Sequence, residues 1–311
     1  MAYQSCNNVS IDAIVSCVPS KVVTTESYTL ISKEEQELFT RTTGIKERRV
    51  ANNETTCSDL CFKAAKDILD KYDCKNEIEL LVFVSQSPDY FLPATSILLQ
   101  DKLGIPKTCL AFDVNLGCSG YVYGLSIVSN MLQSGQLKKA LLLVGDKSTI
   151  STAYTDKSTY PLFGDAGTAT LLSYKPGANP WCFNLQSDGA GQKAIIIEHG
   201  HSRNPYSEES NIELTVDKGI VRTKKHLALD GMEIFNFALR EAAPNIKQLL
   251  NNAEFSIENI DFFVLHQANK LINESIRKKL KIDLEKVPYS IDYFGNTSSA
   301  SIPLTICYQL K

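Results

Sequence analysis

Phe112-Asp-Val-Asn-Leu-Gly-Cys118-Ser-Gly120 runs from a short apolar stretch, through a glycine and a cysteine, into a helical pattern carrying Tyr121, Val122, Leu125, Val128, Met131 and Leu132. It reads as a strand closed by a tight turn that opens a helix. A thiol in that turn faces unpaired backbone N–H groups and the positive end of the helix dipole. Both favour the thiolate, so the expected Cys118 pKa lies below the ordinary value of about 8.5. An arbitrary cysteine is more often a buried structural residue. Small residues on both sides, at a strand-to-helix turn, make Cys118 a candidate nucleophile.

Working outward, the same unit recurs. Ser290-Ile-Asp-Tyr-Phe-Gly-Asn296-Thr-Ser298 repeats the strand, glycine and polar residue that opens a helix. Upstream, Ile78-Glu-Leu-Leu-Val-Phe-Val-Ser-Gln86 resembles Ile260-Asp-Phe-Phe-Val-Leu-His-Gln267. The offsets are 181 residues from Gln86 to Gln267 and 178 from Cys118 to Asn296. Two units recurring in the same order indicate an internal duplication, with halves at 1–175 and 176–311. Asn296 then holds in the second half the place of Cys118, where a neutral donor can hydrogen-bond a developing oxyanion. His266 ends the second half's apolar run, and strand ends are where α/β sheets bind ligands. Read alone, Asn296 is a turn or cap residue and His266 a hydrogen-bonded structural one. Their places in the repeat favour function.

The rest of the chain alternates apolar runs (Leu80–Val84, Leu110–Val114, Ala140–Val144, Ala169–Leu172, Ile195–Glu198, Phe262–Leu265) with helical patterns over Thr56–Tyr72 and Gly231–Leu250, the latter interrupted by Pro244. This is a layered α/β protein. Ile212–Val216 is a further strand candidate inside the polar stretch 200–225. With 311 residues and 43% apolar content, the chain can bury a core without disulfides or metals. A net charge of −3 lacks the basic excess of a nucleic-acid binder. No apolar run approaches the roughly 20 residues that span a bilayer, and no secretory signal pattern opens the chain. The expected compartment is the cytoplasm. Nine cysteines show no disulfide framework, and His199-x-His201 is too little to complete a zinc site with Cys57-x3-Cys61. No metal is expected.

The segments around Cys118, His266-Gln-Ala-Asn269 and Gly295-Asn296-Thr-Ser-Ser-Ala-Ser301 resemble the active-site motifs of the β-ketoacyl-acyl-carrier-protein synthase III family. Thr43-Gly-Ile-Lys-Glu-Arg-Arg49, Leu162-Phe-Gly-Asp-Ala-Gly167 and Ala228-Leu-Asp-Gly-Met-Glu-Ile-Phe235 extend the match from about residue 9 to the end. The resemblance implies a thiolase fold, a duplicated five-layer α/β/α/β/α arrangement, and a homodimer. It implies a catalytic Cys118, His266 and Asn296 and a two-stage Claisen condensation. Cys118 would hold the acyl group, and His266 and Asn296 would stabilise the enolate left when a malonyl thioester loses carbon dioxide. The substrates are phosphopantetheine thioesters, with no cofactor.

Several positions depart from the family pattern. Leu38 stands where a tryptophan stacks the adenine of coenzyme A, and the second arginine of that platform becomes Lys157. An acyl-carrier-protein donor gains weight over acyl-coenzyme A, which stays open. Leu92, beside Phe91, replaces an acyl-pocket phenylalanine, and Asn269 is the remaining candidate substrate contact. Lys270 and the run Arg277-Lys-Lys-Leu-Lys281 offer basic charge to an acidic carrier, or form a solvated helix face. The family's closing strands and their glycine-rich loop are not found after Cys307, which reads as a truncated second half. Two other readings stand beside condensation: acyl transfer through Cys118 to an alcohol or amine, and a non-catalytic partner in a heterodimer.

Overall fold

The computed structural model describes residues 2–310. Its centre is a five-stranded sheet in the first half. Strands β2 (Val9–Cys17), β3 (Leu80–Val84), β4 (Leu110–Val114), β5 (Lys139–Lys147) and β6 (Asp165–Tyr174) lie in the order β2-β6-β5-β3-β4. The β3–β4 and β3–β5 pairs are parallel, and β6 runs antiparallel to both β5 and β2. The continuous apolar runs that mark these strands are explained by burial on both faces. Leu81, Phe83, Leu141, Leu143, Ala169 and Leu171 face one core, and Leu80, Val82, Val84, Leu142, Val144 and Leu172 the other.

Helix α2 (Cys57–Tyr72), as the pattern over 56–72 predicts, covers the first face. A capping box starts it: Asp59 N–H donates to Thr56 Oγ1 at 3.3 Å, and Thr56 N–H returns the bond to the Asp59 carboxylate at 3.0 Å. Helix α3 (Thr95–Lys102) joins it there. On the other face lie α4 (Gly120–Leu132) and α7 (Ser301–Gln309). Helix α2 approaches the sheet at backbone distance. A Cβ on Gly167 of β6 would overlap Cys61 N and stand 2.7 Å from Leu60 C.

The second half is assembled differently from its sequence pattern. Helix α5 (Gly231–Asn252) runs on through Pro244, and with α6 (Lys270–Leu280) it encloses Ala243, Leu250, Phe263, Ile272 and Ile276. The strand expected over Phe262–Leu265 pairs with no other strand among the described residues; its ordered contact is the Phe263 N–H donating to Lys286 O at 2.8 Å. An apolar run becomes a strand only where a neighbour satisfies its backbone, and none lies alongside. The strand expected over 195–198 is confined to Ile195–Ile196, paired with Ala228–Leu229, and that over 212–216 to Leu214–Asp217, paired with Ile220–Arg222. Strand β1 (Ala2–Cys6) pairs antiparallel with β7 (Trp181–Leu185), beside α5. Helix α1 (Lys33–Thr43) lies next to α6.

Gly167→Ala is expected to cost about 2–3 kcal/mol, because the methyl meets backbone that cannot rotate away. Guanidinium unfolding checks this, and an unchanged midpoint contradicts the close approach.

Candidate active site

The site forms where β4 and β5 end and the segment 295–301 folds over them. Cys118 lies in the turn ahead of α4, closed by Gly120 N–H donating to Gly117 O at 2.7 Å. As a residue it is the one exposed cysteine of the nine, while its sulfur is packed closely enough to be desolvated. Asn296 is fixed through its backbone: Asn296 N–H donates to Leu162 O at 2.9 Å, and Gly164 N–H donates to Asn296 O at 3.0 Å. The preceding Gly295 has φ +64° and ψ −160°, a conformation essentially restricted to glycine. Asn296 is therefore held by the Phe163 segment rather than by a helix start, since α7 begins only at Ser301.

Ser298, at φ +50°, joins the three sequence candidates. Its N–H donates to Asn296 Oδ1 at 2.9 Å, which fixes the amide and leaves Nδ2 as a donor. Its hydroxyl lies 3.6 Å from where a Cβ on Gly117, beside Cys118, would stand; that hydroxyl lowers the Cys118 thiol pKa and the Ser298 backbone raises that of His266. Cys118, His266 and Asn296 thus gather around one residue, whose own backbone strain the fold sustains.

The ring of His266 is oriented from behind. Its Nδ1 lies 2.7 Å from Ser301 Oγ. That oxygen also accepts from Gln267 N–H at 3.3 Å, so the serine proton has Nδ1 as its recipient. The geometry therefore favours the tautomer protonated at Nε2. Nε2 is buried without a hydrogen-bond partner in the chain. Burial pushes the imidazole down to about 4, with the Ser298 backbone opposing it. The ring is neutral at pH 7 and presents one N–H.

Cys118 departs from expectation. Desolvation, then the charge of Asp146, push the thiol up to about 11; the Ser298 hydroxyl and its own backbone pull the other way. The helix dipole was the only influence visible in the sequence, and it is outweighed here by a buried carboxylate from β5. Asp146 accepts from Ser85 Oγ (3.1 Å), Gln86 N–H (2.7 Å) and Ser299 Oγ (2.7 Å). Sequence reasoning missed Asp146, Ser298 and Ser301. The two serines sit inside the quoted Asn296 motif, whereas nothing in the chain marks Asp146.

The other candidates lie apart from this cluster. Asn269 caps α6, its Oδ1 accepting from Ile272 N–H at 2.8 Å. The Lys157 ammonium pairs with Glu35 at 2.9 Å. Leu92 and Phe91 stand 86% and 76% exposed, with Phe91 edge-on to His201 at 5.0 Å. Among the described residues, no group of three or more His, Cys, Asp or Glu could hold a metal. None of their helices is long and apolar enough to cross a membrane.

Comparison with known proteins gives a consistent result. A family model described as 3-oxoacyl-[acyl-carrier-protein (ACP)] synthase III matches residues 112–189, and its C-terminal counterpart matches 250–311. The chain is 34% identical over 301 residues to the beta-ketoacyl-[acyl-carrier-protein] synthase III of Clostridium novyi, covering 96% of this chain and 89% of that one. It is 35% identical over 291 residues to the Streptococcus mutans protein of the same name, covering 93% and 86%. The crystal structure of a 3-oxoacyl-(acyl-carrier protein) synthase from Burkholderia xenovorans superposes with TM-score 0.92 at 37% identity, covering 99% of this chain and 87% of that one.

A neutral, Nε2-protonated His266 is expected in the ¹⁵N spectrum at pH 7, with a titration midpoint near pH 4. A midpoint near 6.5 contradicts the burial. Protonation favours the unfolded chain as pH falls from about 6.5 to 4, so this residue costs about 3 kcal/mol of stability at the acid end. His266→Gln should flatten the pH dependence of unfolding in that window.

Proposed function

Because the chain belongs to the 3-oxoacyl-[acyl-carrier-protein] synthase III family of thiolase-fold condensing acyltransferases, we propose that it joins an acyl group held on Cys118 to a malonyl thioester. The observation that carries this reading is the gathering of Cys118, His266 and Asn296 around Ser298. In the first stage the Cys118 sulfur attacks the acyl thioester carbonyl. The new C–S bond replaces the carrier's, and the thiol proton leaves, in net, with the carrier thiol.

In the second stage a malonyl thioester enters and its carboxylate leaves as carbon dioxide. The electron pair moves onto the thioester as an enolate. The His266 Nε2–H and the Asn296 Nδ2–H are both free to donate, and both suit an oxygen whose charge grows in that step. A neutral imidazole serves well here because it cannot be lost to protonation above about pH 5. The enolate carbon attacks the acyl–Cys118 carbonyl, the C–S bond breaks, and the sulfur regains a proton from solvent. The product is a 3-oxoacyl thioester.

The donor we assign is an acyl carrier protein. Leu38 is half exposed with no ring to stack a purine, and Lys157 is engaged by Glu35. On α6, Arg277 pairs with Glu274 at 2.8 Å and Lys279 donates to Leu239 O at 2.7 Å. Lys278 and Lys281 are then the members of the basic run offered to an acidic carrier. A homodimer belongs to the same reading, because Phe91 and Leu92 are among the most exposed apolar side chains and a partner subunit would cover them.

Intact mass after incubation with matched acyl-carrier-protein and acyl-coenzyme A donors tests this. We expect one acyl group per chain, on Cys118, faster from the carrier protein, and none on Cys118→Ala. His266→Ala and Asn296→Ala should still acylate but lose decarboxylation of the malonyl thioester by about 10²–10³-fold. A folded chain that no donor acylates contradicts the reading.

A further inference from the structure

The mechanism above makes no use of Asp146, although it is 2% exposed and lies at the end of a central strand beside the nucleophile. Its surroundings are built to hold a charge. Oδ1 accepts from Ser85 Oγ at 3.1 Å, Gln86 N–H at 2.7 Å and Ser87 Oγ at 3.4 Å. Oδ2 accepts from Ser299 Oγ at 2.7 Å and Ser299 N–H at 3.4 Å. Five donors and no cation converge on one carboxylate; the neighbouring Lys147 donates instead to Asn52 O at 2.7 Å. An arrangement of this kind stabilises an ionised carboxylate in the interior.

The donors come from two places that the chemistry needs to keep in register. Ser85-Gln86-Ser87 is the turn after β3, and Gln86 packs on the Cys118 turn: a Cβ on Gly117 would overlap Gln86 Oε1 and stand 3.1 Å from its Cδ. Ser299 follows Ser298, the residue that fixes the Asn296 amide. The same hypothetical Cβ lies 3.6 Å from Ser298 Oγ, so both routes from Asp146 end at the Cys118 turn.

We propose that Asp146 is a positioning residue for Cys118: its carboxylate ties the turn after β3 and the Ser298–Ser299 turn into one frame, and it sets a buried negative charge against the nucleophile. The proposal rests on the reading above only in calling Cys118 the nucleophile. The resting sulfur is then a thiol, held ready in a fixed place and inert to solvent electrophiles at neutral pH. The titratable groups around this charge are Cys118 and, from α2, the buried Cys57, whose thiol is raised by burial first, then by Cys61, with the Asp146 charge adding to both. His266 shares the Ser298 turn and is neutral. Lys147 faces away. Burial raises the carboxyl from its ordinary value, and the hydrogen bonds from Ser299 and Gln86 pull it back toward the ionised form.

Iodoacetamide alkylation of the full chain reads the charge without any acyl donor, so its failure is distinct from a failure of the condensation reading. The rate at Cys118 is followed by mass from pH 6 to 12.5, with Cys118→Ala as the blank. In the unmodified chain we expect a midpoint near 11. In Asp146→Asn, which keeps the size and an acceptor oxygen but removes the charge, the midpoint should fall by at least one pH unit. The rate at pH 7 should then rise about threefold, because the thiolate fraction grows tenfold while its nucleophilicity drops. Ser299→Ala keeps the charge and should leave the midpoint in place. An unmodified midpoint at or below 9 overturns the proposal even if Asp146→Asn does not fold. An unshifted midpoint in a folded Asp146→Asn overturns it as well.

Discussion

Two backbone hydrogen bonds, Asn296 N–H to Leu162 O and Gly164 N–H to Asn296 O, hold the site in one piece. They splice a segment from the second half of the chain onto the first. Ser298 and the orientation of His266 both depend on this splice. Ser298 and Ser299 follow it directly, and Ser301, two residues further on, orients His266. The cost is a non-glycine residue at φ +50° and a glycine in a rarely used conformation. Surrounding order repays such strain where a precise placement is needed.

The first half supplies rigidity and the second supplies donors. A sheet covered on both faces by helices sets the ends of β4 and β5 in place, and these ends carry the Cys118 turn and Asp146. Donors placed on packed elements need no reorganisation when charge develops, and that is the source of most electrostatic catalysis. The polarity of each group also fits its neighbour. Burial holds the His266 imidazole neutral, and desolvation with the Asp146 side chain raises the Cys118 thiol.

Much of this was legible in the chain. Leu80–Val84 and Ala140–Val144 are apolar without interruption because both faces are buried, and the pattern says so. Cys118, His266 and Asn296 could be picked out by the match between Phe112–Gly120 and Ser290–Ser298 and between Ile78–Gln86 and Ile260–Gln267, although Ile291–Phe294, read as a strand in that match, is a helical turn. Legibility failed where partners are scattered. Asp146 has its donors at 85–87 and 299, which no local pattern connects, and so the direction of the Cys118 shift was misjudged. Asn269 and Lys157, named as substrate contacts from the family resemblance, have partners within the chain that the sequence does not show, Ile272 N–H and Glu35. Phe262–Leu265 has the composition of a strand and lacks the adjoining strand that would make it one.

The central claim is that donors from His266 and Asn296 meet on one oxygen. A double-mutant cycle on malonyl-thioester decarboxylation measures this most directly, comparing His266→Ala, Asn296→Ala and the pair. Two donors that act as a unit on one oxygen are strongly non-additive. We expect the double variant to decarboxylate within a few-fold of the slower single variant. Losses that multiply would show two independent sites and contradict the shared oxygen.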